Sequence, residues 1–103
     1  RLGDFPVWYQ KPIQCMSTKA VLQNTKKTGM EVFWGGRGKS NTTEQPVALN
    51  VFVFLAMNIK TKDWVIFEAS ADGKESCVIG FGDDVDFDPK SLNNLLSPFK
   101  YDK

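Results

Sequence analysis

Histidine is absent from the 103 residues, and cysteine occurs only twice. Without histidine the chain has no side chain whose ordinary pKa lies near 7. The usual general base and the commonest metal ligand are both missing. Two cysteines alone do not complete a structural zinc site. Charge of one sign is lacking too: thirteen Lys and Arg stand against twelve Asp and Glu, for a net charge of +1. Such a chain exerts no long-range pull on nucleic acid or on an anionic membrane. Long apolar runs are also missing. The longest, Val51 to Met57, is strand-sized and far short of a membrane span. These absences predict no cofactor, no bound metal, no nucleic-acid partner and no membrane span.

What is present describes a folded chain. Apolar residues make up 42% and charged residues 24%, the balance of a globular protein. The length predicts one domain over residues 1–103. The first residue is Arg1 rather than methionine, which fits a removed signal peptide and fits a trimmed chain equally. The opening RLGDFPVWYQKP is aromatic and broken by proline, and reads as an extended arm that packs, with room for a short strand.

Ser17 to Gly29 reads as a helix. Ser17 suits the N-cap, Val21, Leu22 and Thr25 share a face, and Lys26 and Lys27 complement the dipole in the last turn. Gly29 suits the left-handed position that ends a helix. Strands are expected at Met30–Trp34, Pro46–Asn58, Trp64–Ser70 and Ser76–Gly82. A glycine-rich loop, residues 35–45, should separate the first two. Val51, Val53 and Leu55 alternate with Phe52, Phe54 and Ala56, so the second strand is apolar on both faces and should be central. Asp88 and Pro89 predict a short C-terminal helix docked by Leu92, Leu95 and Leu96. The fold class is therefore α+β: an antiparallel meander of about four to five strands, one helix (about 17–29) on one face, and a short C-terminal helix.

Asp72-Gly73 predicts a two-residue type I′ hairpin. That turn would set Ala71 opposite Lys74, Phe67 opposite Val78 and Ile66 opposite Ile79. Trp64, Ile66, Cys77, Ile79 and Phe81 would then share one face, and Val65, Phe67 and Val78 the other. Cys15 stands just before the helix, so the helix is expected on the Cys77 face. The Val65 face would be left to the termini, through Phe5, Trp8, Leu92, Leu95 and Phe99, and to a second copy of the chain. Val65, Phe67 and Val78, with Arg37 and Lys39 from the glycine loop, are the expected interaction surface, and a two-fold homodimer the expected assembly.

Several motifs weaken when read closely. Gly38-Lys39-Ser40 has the tail of a phosphate loop, but Phe33 stands where the first glycine belongs, and a strand pattern rather than a helix follows. Asp84, Asp86 and Asp88 begin like a calcium loop. Pro89 then occupies the glycine position and Leu95 the closing glutamate position. Val85 and Phe87 alternate with the acids instead, as on a solvated edge segment. Asn41-Thr42-Thr43 is a glycosylation sequon that matters only in a secreted eukaryotic chain. The strand aromatics Trp34, Phe52, Phe54, Trp64, Phe67 and Phe81 read as core rather than as a base-stacking platform. Cys15 and Cys77 admit two readings: a bridge, or two buried thiols. No histidine exists to activate either as a nucleophile.

PIQC before a helix, VFVFLAMNIKTKDWVIFE as a hairpin with Trp64 just past the turn, and DGKESCVIGFGDDVDF at the close form a set. Over roughly Pro12 to Phe87 it resembles a loose group of small uncharacterised proteins of marine bacteria, their phages and environmental collections. The shared marks are the paired cysteines, the hairpin tryptophan and the spacing from Gly82 to Phe87. The resemblance implies no activity and no catalytic residues. Several members look exported, which implies a Cys15–Cys77 disulfide and a periplasmic or secreted location, against a cytoplasmic alternative. The GGRGKSNTTEQ segment departs from the group. The functional expectation is a small, non-enzymatic, exported binding or interaction module for a protein or small-molecule ligand. The alternatives are a small enzyme or accessory subunit using carboxylate, Lys or Arg chemistry, with Glu68 or Asp84 as candidates, and a virion-associated structural protein.

Overall fold

The computed structural model describes residues 6–7, 11–41 and 48–99. Phe5 and Trp8, and the Thr42 and Thr43 of the sequon, lie outside these residues. The elements in chain order are β1 (Gln14–Ser17), α1 (Thr18–Lys27), β2 (Glu31–Asn41), β3 (Ala48–Met57), β4 (Trp64–Ser70), β5 (Glu75–Gly82) and α2 (Pro89–Leu96), closed by a 3-10 turn, Ser97–Phe99. All strand pairs are antiparallel, and the sheet order is β1-β5-β4-β3-β2. The α+β class, the five strands and both helices match the reading of the sequence.

α1 forms where its cap and dipole signals place it. The Ser17 hydroxyl accepts from the Ala20 amide at 3.1 Å, and Lys26 and Lys27 occupy the last turn. Gly29 follows at φ 74°, which only glycine adopts cheaply. The start of the helix is tied to β5: the Thr18 amide donates to the Lys74 carbonyl at 2.9 Å, and the hydroxyls of Thr18 and fully buried Ser76 are 2.7 Å apart. Val21 and Thr25 are buried. The Thr25 hydroxyl is satisfied by the Val21 carbonyl at 2.7 Å. Leu22, expected on the buried face, is exposed.

Four local expectations are corrected. The Gln14–Ser17 stretch is a strand rather than a run-in to the helix. The glycines from Gly35 to Gly38 are strand, not loop. Gly35 lies under the ring of Phe54, where an added Cβ would stand 3.0 Å from a ring carbon. Glycine therefore serves close packing here, which leaves the strand hydrogen bonds intact. The β4–β5 connection is not a type I′ turn. The Gly73 amide bonds the Ser70 carbonyl at 2.8 Å, and Gly73 has φ 75° while Asp72 is not among the residues with positive φ. Asp72 instead accepts from the Ser70 hydroxyl at 2.6 Å and the Lys74 amide at 2.9 Å, an Asx-type closure. Finally, residues 84–88 are irregular rather than an edge strand. Asp84 has φ 61°, and the Asp86 carboxylate accepts the Asp88 amide at 2.9 Å.

The largest correction concerns the faces. Phe67 pairs with Val78 as expected, but a bulge between Ile66 and Phe67 moves Ile66 opposite Gly80 and Val65 opposite Phe81. The core is Val21, Ala56 and Phe67, joined by Met16, Met30, Phe54 and Val65. α1 thus lies on the Val65, Phe67 and Val78 face, and the Cys77 face is the one turned away from it. The reason is the unexpected β1. Cys15 pairs directly with Cys77, so both side chains point away from the helix, and Met16, one residue on, points toward it.

Candidate functional site

Cys15 and Cys77 form a disulfide with Cα atoms 4.0 Å apart, bridging 62 positions of sequence. It ties edge strand β1 to β5, rather than the start of the helix to the sheet. The Glu75 carboxylate and the two sulfurs lie within 4.8 Å of one another. Sulfurs bonded to each other have no thiolate to offer a cation, so this trio is a bridge with an acidic neighbour.

The face turned away from α1 follows from strand alternation. β2 contributes Trp34, Gly36, Gly38 and Ser40, β3 contributes Leu49, Val51, Val53, Leu55 and Met57, and β4 contributes Trp64, Ile66, Glu68 and Ser70. Cys15 and Cys77 continue it across β5 and β1. Trp34 is 54% exposed and Leu49 is exposed, while Val53, Leu55, Trp64 and Ile66 are half-buried. The distal part of the β2–β3 hairpin curls over one end: the Ser40 hydroxyl reaches Glu68 Oε1 at 3.1 Å, and Val51 is buried. At the other end the Trp64 indole spans the glycines of β5 and donates from Nε1 to the Asp83 carbonyl at 3.1 Å. The result is an apolar strip between a polar clasp, Ser40 with Glu68, and an anchored tryptophan.

The expected interaction residues do not form one surface. Phe67 is 1% exposed beneath α1, so it is core. Val65 and Val78 line a cleft of about 150 Å³ between α1 and the sheet, together with Met16, Val21, Thr25 and Met30. Arg37 pairs with Phe52 and Lys39 with Asn50, between edge strand β2 and its neighbour β3. The Lys39 ammonium donates to Asn50 Oδ1 at 2.6 Å. Arg37 and Asn50 border a hollow of about 310 Å³ with Gly38, Val51, Phe52 and Ala71. Gly38-Lys39-Ser40 sits within a strand, so it presents no fan of amides at a helix start.

Asp72, Asp86 and Asp88 have structural partners. Asp88 caps α2, accepting from the Lys90 amide at 3.3 Å and the Ser91 hydroxyl at 3.2 Å. Hydrogen bonding from the Ser70 hydroxyl, then from the Lys74 amide, holds the Asp72 carboxyl below its ordinary value. The Asp88 amide does the same for Asp86. Both shifts are downward, the direction of a carboxylate that closes a turn. A proton donor near neutrality needs the opposite shift.

The sequence reading missed Trp34, Leu49, Leu55 and Ile66 as a shared surface. The usable signal was the alternation at Cys15-Met16, which read as a strand would have reversed the face assignment. No family model, curated protein or solved structure matches the chain. The folded domain and its apolar strip are what bears on function, and no helix among the described residues is long and apolar enough to cross a membrane.

Proposed function

We propose that the protein is a small, exported, non-enzymatic interaction module that works as a two-fold homodimer through the sheet face turned away from α1. The observation that carries this reading is the strip of Trp34, Leu49, Val53, Leu55 and Ile66. α1 lies on the other side of the sheet, and Leu95 and Leu96 of α2 face solvent. A contiguous apolar strip rimmed by polar groups favours association, because removing it from water yields roughly 25 cal/mol per Å². A second copy fits because the two-fold places the same self-complementary strip on both partners. The disulfide supports an oxidising compartment such as the periplasm or the extracellular space.

Light scattering at micromolar concentration tests the assembly. The expected mass is twice the 11.6 kDa of one chain. A mass of one chain at every concentration up to the millimolar range ends the homodimer reading. Recovery of the protein with both thiols free from its native compartment ends the exported reading.

A further inference from the structure

α2 and the turn after it carry an apolar stripe that is largely exposed. Leu92, Leu95, Leu96 and Phe99 fall at i, i+3, i+4 and i+7, one face of a helix. The helix has a well-made start, with Pro89 in its first turn and the Asp88 carboxylate capping it. Yet Leu95 is 68% exposed, Phe99 is 77% exposed, and Leu96 is exposed as well. An eight-residue helix has little stability of its own in water and owes its order to what its apolar face meets.

The same chain therefore holds two unfilled apolar surfaces, this stripe and the Trp34–Ile66 strip. We infer that they fill each other between copies: α2 of one protomer lies across the sheet face of its partner, and the partner's α2 returns the contact. The inference rests on the homodimer reading above and specifies its geometry. Three observations favour the exchange. The exit of the chain from β5 is held at the Trp64 end of the sheet, by the Trp64–Asp83 bond and by the Val85 amide on the Lys62 carbonyl at 3.0 Å. From there α2 runs with Leu95 and Leu96 in solvent and Leu92 half-buried. A two-fold axis then pairs two helices with two faces and leaves neither over. Charge agrees: Lys90 is the one charged side chain of α2, and the face carries Glu68 and Glu75 beside the disulfide. Area agrees as well. Two stripes of four large apolar side chains and the two faces that receive them amount to the order of 1,200–2,000 Å², a standard stable interface.

The experiment compares the full-length protein with Leu95→Asp by sedimentation equilibrium, using circular dichroism to confirm the fold. Leu95 is exposed in the protomer, so the substitution leaves the fold and its melting intact. The dimer dissociation constant should rise on the order of 100-fold, since each dimer loses two such contacts and each 1.4 kcal/mol is tenfold. Isotope-filtered nuclear Overhauser contacts in a dimer mixed from labelled and unlabelled chains should join Leu95 to Ile66 or Leu55 of the other copy. A wild-type dimer that Leu95→Asp does not weaken overturns the exchange and leaves the homodimer standing. The same contacts found only within one chain overturn it too. A monomeric wild type removes both.

Discussion

The indole of Trp64 lies flat against Gly82 of the neighbouring strand. A Cβ on Gly82 would stand 3.0 Å from the ring, and one on Gly80 would stand 3.6 Å from the same indole. An aromatic side chain laid over cross-strand glycines covers backbone that would otherwise be wet, and it fills the space their missing side chains leave. The ring cannot move aside cheaply, because its Nε1 is bonded to the Asp83 carbonyl.

Gly82→Ala should therefore destabilise the fold by about 1–3 kcal/mol, the cost of inserting a methyl into filled space. Gly36 is the control. A Cβ there meets nothing within 4 Å, so Gly36→Ala should be neutral or stabilising by about 0.4–1 kcal/mol through the unfolded chain. Urea denaturation of both variants checks the pair. Equal effects would mean that Trp64 does not occupy the space over Gly82.

The disulfide closes 62 positions of chain. Cys15→Ser with Cys77→Ser should cost about 4 kcal/mol in the chain-entropy account. Amide exchange should accelerate first in β1, an edge strand four residues long that the bridge ties to β5. An unchanged urea midpoint together with unchanged β1 protection would remove the bridge from the stability account.

Phe67→Ala should cost about 3–5 kcal/mol, because its ring is fully enclosed and stacks on Phe54 with centroids 5.4 Å apart. Phe81→Ala should fall within about 0.5 kcal/mol, since Phe81 is 78% exposed although it pairs with Val65. Both rings lie on the α1 side of the sheet, so the contrast tests how far the cover of α1 extends along it. Thermal melts of the two variants with reversed order would place the cover of α1 over the Phe81 end of that face instead of over Phe67.

Asp72 links the β4–β5 turn to pH. Its carboxyl is held below its ordinary value of 3.8 by the Ser70 hydroxyl and the Lys74 amide. A depressed folded pKa contributes stability that is present above the unfolded value and lost as pH falls through the folded one. Acid should therefore loosen this turn only below about pH 3.8. The Asp72 carboxyl carbon, followed by NMR, should titrate below that value, and Ser70→Ala should move it upward. No movement in Ser70→Ala would assign the depression to another cause.

The sequence by itself determined the elements whose signals are local. The cap at Ser17, the cations at Lys26 and Lys27 and the glycine at Gly29 delimit α1. Asp88-Pro89 starts α2, and the apolar β3 and β4 were legible as a hairpin. These signals act within a few residues, so they read the same in the chain as in the fold. Tertiary structure alone decided the faces. A strand alternates by single residues, so one unrecognised strand, β1, exchanged the buried and the open side of the sheet, and one bulge, between Ile66 and Phe67, moved Phe81 to the Val65 face. Gly35 of β2 read as loop because its partner, the Phe54 ring, comes from another strand and leaves no mark in the local sequence. The apolar strip beside Trp34 was hidden for the same reason. Its members are far apart in the chain, and only the register of β2, β3 and β4 brings them together.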